Sequence, residues 1–160
     1  MLLFAPALAQ AAPGNTRSVS GTATAAIIRP IAIVAVASLR FGVIARPSTA
    51  GTLTVSTTGA VSTTGGVTGS NAINQGALAA RTGTFRVTGD PGRSFVVVLP
   101  PTATVTTSAG SMNISLFTVG ALPGSTSGTL DIAVGGTLSV SAAQTPGAYS
   151  GTYRITATYQ

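Results

Sequence analysis

Cysteine, histidine, lysine, glutamate and tryptophan are all missing from this chain of 160 residues, and its only side-chain carboxylates are Asp90 and Asp131. Without histidine or cysteine no side chain exchanges protons near neutral pH, and arginine keeps its proton in proteins. A serine nucleophile would have no base beside it. Zinc sites want His or Cys, and calcium sites want several carboxylates or carbonyls around one turn. The two aspartates would have to converge to make even half a glycosidase site; they read instead as a turn residue (Asp90) and a strand-end charge (Asp131). A phosphate-cradling P-loop needs the missing lysine. These absences predict a protein that is not an enzyme and that carries no cofactor and no metal. With no cysteine to count, the redox compartment stays unread.

Charge is scarce too. Only 6% of the residues are charged, and eight arginines against two aspartates give a formal net charge of +6. The arginines, at positions 17, 29, 40, 46, 81, 86, 93 and 154, are scattered, and no basic run interleaves with aromatics. Nucleic acid is therefore not an expected partner. A surface helix needs charged residues on its outer face, whereas here the polar surface falls to Thr and Ser, with 20 glycines to make turns. That profile predicts an all-β fold. The length suits one ordinary domain with a core of its own.

The first residues speak to compartment. Leu2, Leu3, Phe4, Ala5, Pro6, Ala7 and Leu8 form an apolar run ending in small residues acceptable to a signal peptidase. A basic leading region is missing, so the run reads as a secretory signal clipped at its start, with the mature chain beginning near Gln10 or Ala12. The apolar stretch 25–37 is interrupted by Arg29 and Pro30 and is too short to span a bilayer as a helix. Residues 1–11 are thus expected to be residual signal peptide, 12–29 an N-terminal extension and 30–160 the folded domain. The mature chain is expected to be exported without a transmembrane segment.

Between Val19 and Phe41 the odd positions are apolar or small, a longer alternation than one strand of about 5–6 residues sustains. Pro30 cannot donate to a ladder and divides it into an arm, 17–28, and a core strand, 31–38. Residues 39–44 form a short second segment ended by Arg46-Pro47. Further strands are predicted at 52–56, 83–89, 94–100, 112–119, 129–134, 137–141 and 149–159. Turn chemistry separates them, as in Gly89-Asp90-Pro91-Gly92 and Gly135-Gly136. Residues 57–80, rich in Thr, Gly, Ser and Asn, read as a long surface loop or a weak hairpin. Seven to nine short strands without a helical period predict a two-sheet sandwich of Ig-like architecture.

In the final run Tyr149, Gly151, Tyr153, Ile155, Ala157 and Tyr159 share one side of a half-buried strand. A strand so patterned must pair with another, from its own fold or from another molecule. Thr-x-Thr pairs at 22/24, 52/54, 102/104 and 156/158 read as outward-facing strand residues; an ice-binding array would need regular stacking, which the sequence does not display.

Several segments resemble a known family. Leu39-Arg40-Phe41-Gly42-Val43-Ile44, Phe85-Arg86-Val87-Thr88-Gly89, Val97-Val98-Leu99-Pro100 and the ending VGGTLSVSAAQTPGAYSGTYRITATYQ from Val134 are similar to the bacterial family DUF4402, over about Thr22 to Gln160. That family looks like the subunits of chaperone-usher fimbriae. The resemblance implies an Ig-like sandwich lacking its last strand, with an N-terminal donor-strand arm. A periplasmic chaperone would lend a strand during export through an outer-membrane usher. The arm of the next identical subunit would then replace it in an extracellular fimbria supporting attachment or biofilm. On this basis Val19, Gly21, Ala23, Ala25 and Ile27 are the expected donor residues. Gly147, Tyr149, Tyr153, Ile155 and Tyr159 are expected on the C-terminal strand that borders the groove and pairs with the chaperone, with Gly147 and Tyr159 matching the glycine and penultimate aromatic of such pilins. Many of those pilins carry a disulfide, which this chain cannot form. The competing expectation is a monomeric, self-complemented surface sandwich acting as an adhesin or carbohydrate-binding module.

Overall fold

The computed structural model describes residues 14, 18–68, 78–120 and 128–160. The expected signal segment 1–11, Arg17 at the start of the arm and the centre of the 57–80 stretch lie outside them. The described residues form nine strands and no α-helix: β1 (Ala32–Ala37), β2 (Gly51–Val55), β3 (Val61–Gly65), β4 (Gly83–Thr88), β5 (Phe95–Val98), β6 (Thr102–Thr107), β7 (Gly110–Val119), β8 (Thr129–Val140) and β9 (Thr156–Tyr159). All their pairings are antiparallel, in a seven-stranded sheet and a β5–β9 pair.

β8 is the spine. Val134 is flanked by Gly83 of β4 and Val119 of β7, and Leu138 by Leu53 of β2 and Ile114 of β7. One edge of β8 therefore carries β4 and then β2 end to end, while β7 runs along the other. Gly135 and Gly136 are a turn by their sequence, yet β8 runs straight through them. The reason is space: a Cβ on Gly135 would collide with the Val55 carbonyl, and one on Gly136 would lie 3.3 Å from Ile114 and 3.4 Å from Phe117. Glycine here admits close neighbours rather than reversing the chain.

The alternation read from the sequence sets the faces. Leu53, Val55, Val67, Ile114, Leu138 and Val140 form one buried cluster, against which Leu39, Phe41, Ile44, Val105, Met112 and Phe117 pack. Gly42, at φ 82°, lets residues 39–44 turn so that both Phe41 and Ile44 reach this cluster. On the opposite face, Thr64, Thr52, Ser139, Asn113 and Thr104 lie in cross-strand register, as do Ser62, Thr54, Thr137, Ser115 and Thr102. The hydroxyls of Thr52 and Thr64 are 2.8 Å apart and those of Thr54 and Thr137 2.9 Å. Hydroxyl groups thus do what charges do on most sheets.

Two further differences from the sequence reading, at β6 and Asp131, have local causes, and at 57–80 the structure decides between the loop and the hairpin that the sequence left open. β6 is an added strand; its run TATVTT offers only Ala103 and Val105 to the core, too little apolar signal to stand out. β3 pairs with β2, so the near half of 57–80 is a hairpin. Asp131 lies within β8, opposite Arg86 of β4, and not at a strand end: Arg86 Nε and Nη2 donate to its two carboxylate oxygens at 2.7 and 2.8 Å. These bonds hold the Asp131 carboxyl below its ordinary range. The pair is exposed and serves register more than stability.

Candidate functional site

Of the run 149–159, which is one strand by its sequence, only residues 156–159 form a ladder, with β5. Upstream, Ser150 exchanges two backbone bonds with Thr106 of β6, at 2.8 and 3.0 Å. Gly151 sits so close that a Cβ would collide with the Thr104 carbonyl. The alternating burial of a strand nevertheless persists, with Tyr153 and Ile155 partly covered and Thr152 and Arg154 exposed.

Facing this run, across a gap, are β1 and residues 38–47. Two cavities occupy the gap. One, of about 830 Å³, has residues 38–47 on one wall and 144–153 on the other, and reaches down to Val105, Ile114, Leu138 and Val140. The second, of about 520 Å³, lies between Ile33, Ala35 and Phe85 and the stretch 152–155. Both are lined by Thr152 and Tyr153, so they adjoin along the C-terminal run. The result is a trough whose floor includes the hydrophobic core itself.

Two tyrosines shape the trough in different ways. The Tyr149 hydroxyl donates to the Thr145 carbonyl at 2.7 Å and accepts from Gln144 Nε2 at 2.8 Å, while the same Gln144 nitrogen donates to the Ser111 carbonyl at 3.2 Å. This ties the turn containing Gly147 to the start of the final run. Gly147 packs over Thr107, where a Cβ would lie 3.3 Å from the hydroxyl. Tyr153 is held by its ring, edge-on to Phe85 at 5.9 Å and tilted against Phe117 at 5.1 Å. Its hydroxyl is buried above Gly83 without a hydrogen-bond partner among the described residues.

That orphan hydroxyl gives a prediction. Burial pushes its pKa from 10.0 up to about 12. An unmade bond carries its full desolvation cost, so Tyr153→Phe is expected to stabilise the domain by about 1 kcal/mol. The folded chain keeps this proton to higher pH than the unfolded chain. Stability tied to the neutral group is therefore intact below pH 10.0 and lost as pH rises towards about 12. Urea midpoints of the two proteins at about pH 8 and about pH 11 should show the advantage of the variant widening at the higher pH.

The expected donor residues lie elsewhere. Residues 18–30 are exposed throughout and belong to no strand; Val19 is 96% and Ile27 101% exposed, and a Cβ on Gly21 would meet nothing within 4 Å. Gly21, Ala23 and Ala25 share this exposure. The arm does not pair with its own domain among the described residues. Of the C-terminal residues, Gly147, Tyr149, Tyr153 and Ile155 line the trough, whereas Tyr159 turns away from it to the Gly89–Asp90 turn. The opposite wall, built by Ile33, Ala35, Leu39 and Phe41, lies in the alternation of 19–41, which marked a core strand but not which of its faces stays uncovered.

A family model described as "Domain of unknown function (DUF4402)" matches residues 31–159. The matched stretch begins after the arm, rather than at Thr22. No curated protein and no solved structure matches the chain.

Proposed function

The chain belongs to the DUF4402 family, and from that premise we propose that it is a structural subunit of an extracellular fimbria. It is exported through the periplasm with a chaperone and an usher, and it polymerises when the arm of one subunit enters the trough of the next. One observation carries this reading: an apolar arm, exposed at Val19 and Ile27, coexists with an unfilled trough whose floor is the core. Such a combination is an aggregation hazard unless a strand covers it. A self-complemented monomer would place its own arm in the trough, and here the arm is exposed.

The chemistry of docking is β-augmentation. Backbone groups of the C-terminal run supply hydrogen bonds, and alternate side chains of the arm enter the trough. Val19 and Ile27 would each contribute about 1.5–3 kcal/mol on burial, and the small residues between them much less. A head-to-tail contact of this kind does not close on itself, so it builds a filament.

The Ig-like sandwich is part of the same proposal. The bond from the Tyr149 hydroxyl to a carbonyl four residues upstream supports it, since Ig-type sandwiches carry such a tyrosine corner where their penultimate strand begins. In that frame the final run borders the place of an absent last strand. The proposal is tested by locating the arm of one subunit in the trough of another with engineered cysteines, which this cysteine-free chain accepts without background.

A further inference from the structure

The arm leaves the domain at a fixed point. β1 begins at Ala32, opposite Thr88 of β4, and Pro30, with its restricted φ and no N–H, stands just before it. One residue further out, the Arg29 carbonyl accepts a hydrogen bond of 2.9 Å from the Tyr159 hydroxyl. That hydroxyl in turn accepts from the Asp90 backbone N–H at 2.6 Å. Gly89 makes the approach possible, because a Cβ there would collide with the Tyr159 oxygen. The ring is held by β9, where Tyr159 pairs with Phe95. Beyond this clamp cover fades quickly: Ile28 is 38% exposed and Ile27 fully so.

We propose that Tyr159 is a positioning residue, whose hydroxyl pins the root of the N-terminal arm to the Gly89–Asp90 turn and so fixes the direction in which the arm departs. A ring alone could fill space at this site; a hydroxyl bridging two backbone groups from distant parts of the chain sets a direction. Resting on the fimbrial reading, the same pin would set the angle between successive subunits, since the arm is the link between them.

The test needs only the unassembled chain, so its failure is separable from failure of the fimbrial reading. Backbone amide order parameters are measured by NMR for the wild type, for Tyr159→Phe, which keeps the ring, and for Gly89→Ala, which keeps the hydroxyl but denies it its place. In the wild type Ile28 and Arg29 should have values near those of rigid backbone, about 0.8, falling below about 0.6 in both variants. The strands β4 and β9 should keep their values, and the Tm of Tyr159→Phe should move by no more than about 4 °C. Rigid Ile28 and Arg29 in both variants, or values already below about 0.6 in the wild type, would overturn the proposal. Should Gly89→Ala not fold, Tyr159→Phe alone decides between these outcomes.

Discussion

Deleting residues 12–28 is expected to abolish fibre formation completely while leaving the domain folded. The described part of that segment is exposed along its whole length and pairs with no strand of its own domain, so its removal takes away no described core contact. The melting temperature of the truncated chain should stay within about 2 °C of the parent, which corresponds to a stability change of no more than about 0.5–1 kcal/mol at this size. Chaperone binding should survive, because the trough is untouched. Assembly, in contrast, should fall to nothing: in the fimbria proposed above there is one kind of joint, and every joint would need an arm. Electron microscopy of the purified protein, parent beside truncation, is the measurement. Uniform thin fibres from the truncated chain would remove the arm from the account.

The second large effect is the converse, in which the arm is supplied from outside. A peptide of residues 18–29 added to the truncated domain should bind the trough and raise stability by mass action. At a free concentration about 100 times its Kd the gain is about 2.7 kcal/mol. For a domain of this length that is a rise in Tm of about 5–10 °C. The same peptide carrying Val19→Ser and Ile27→Ser should give little or no shift, since it lacks the two large side chains whose burial drives docking, and, unlike a carboxylate, serine has no charge to pair with Arg40, Arg46 and Arg154 along the trough. A thermal melt series over peptide concentration reads both. Equal shifts from the two peptides would show that binding does not run through the alternate side chains of the arm.

Both expectations rest on features that differ in how far the sequence displays them. Strands with strong alternation, such as the one built on Leu53 and Val55 or on Phe85 and Val87, announce their buried face directly, because period-2 burial is a local property. The alternation of the arm is as plain in the sequence, with Pro30 as its boundary, but residues 18–30 are exposed throughout and display no buried face of their own. Gly135 and Gly136 are not, since a glycine pair looks alike whether it makes a turn or admits a neighbour, and only the proximity of Val55, Ile114 and Phe117 decides. β6 is hidden because threonine serves strand and loop equally in a chain this poor in charge. The tyrosines of the ending show the same limit. Their spacing puts Tyr149, Tyr153 and Tyr159 on one side, but their work is unlike: Tyr149 ties a turn, Tyr153 packs edge-on to Phe85 and tilted against Phe117, and Tyr159 reaches Arg29 across 130 positions of sequence. Partners so remote leave no mark in the local pattern. The open trough is equally non-local, being the space between the two halves of the chain that the alternation of 31–41 and that of 149–159 describe separately.

The most direct measurement joins one subunit to the next. Fibres are assembled from a mixture of two chains, one with Ala23→Cys at the centre of the arm and one, carrying a size tag, with a cysteine in the trough at Ala35, Ala148 or Thr152. A control partner carries Ser62→Cys on the hydroxyl-covered face away from the trough. Because the natural chain has no cysteine, any disulfide between a tagged and an untagged chain reports contact between subunits at the chosen pair. The account predicts a strong mixed disulfide with at least one trough position and none with Ser62→Cys. It is contradicted if no trough position cross-links, if Ser62→Cys does so equally well, or if the mixture yields no fibres at all.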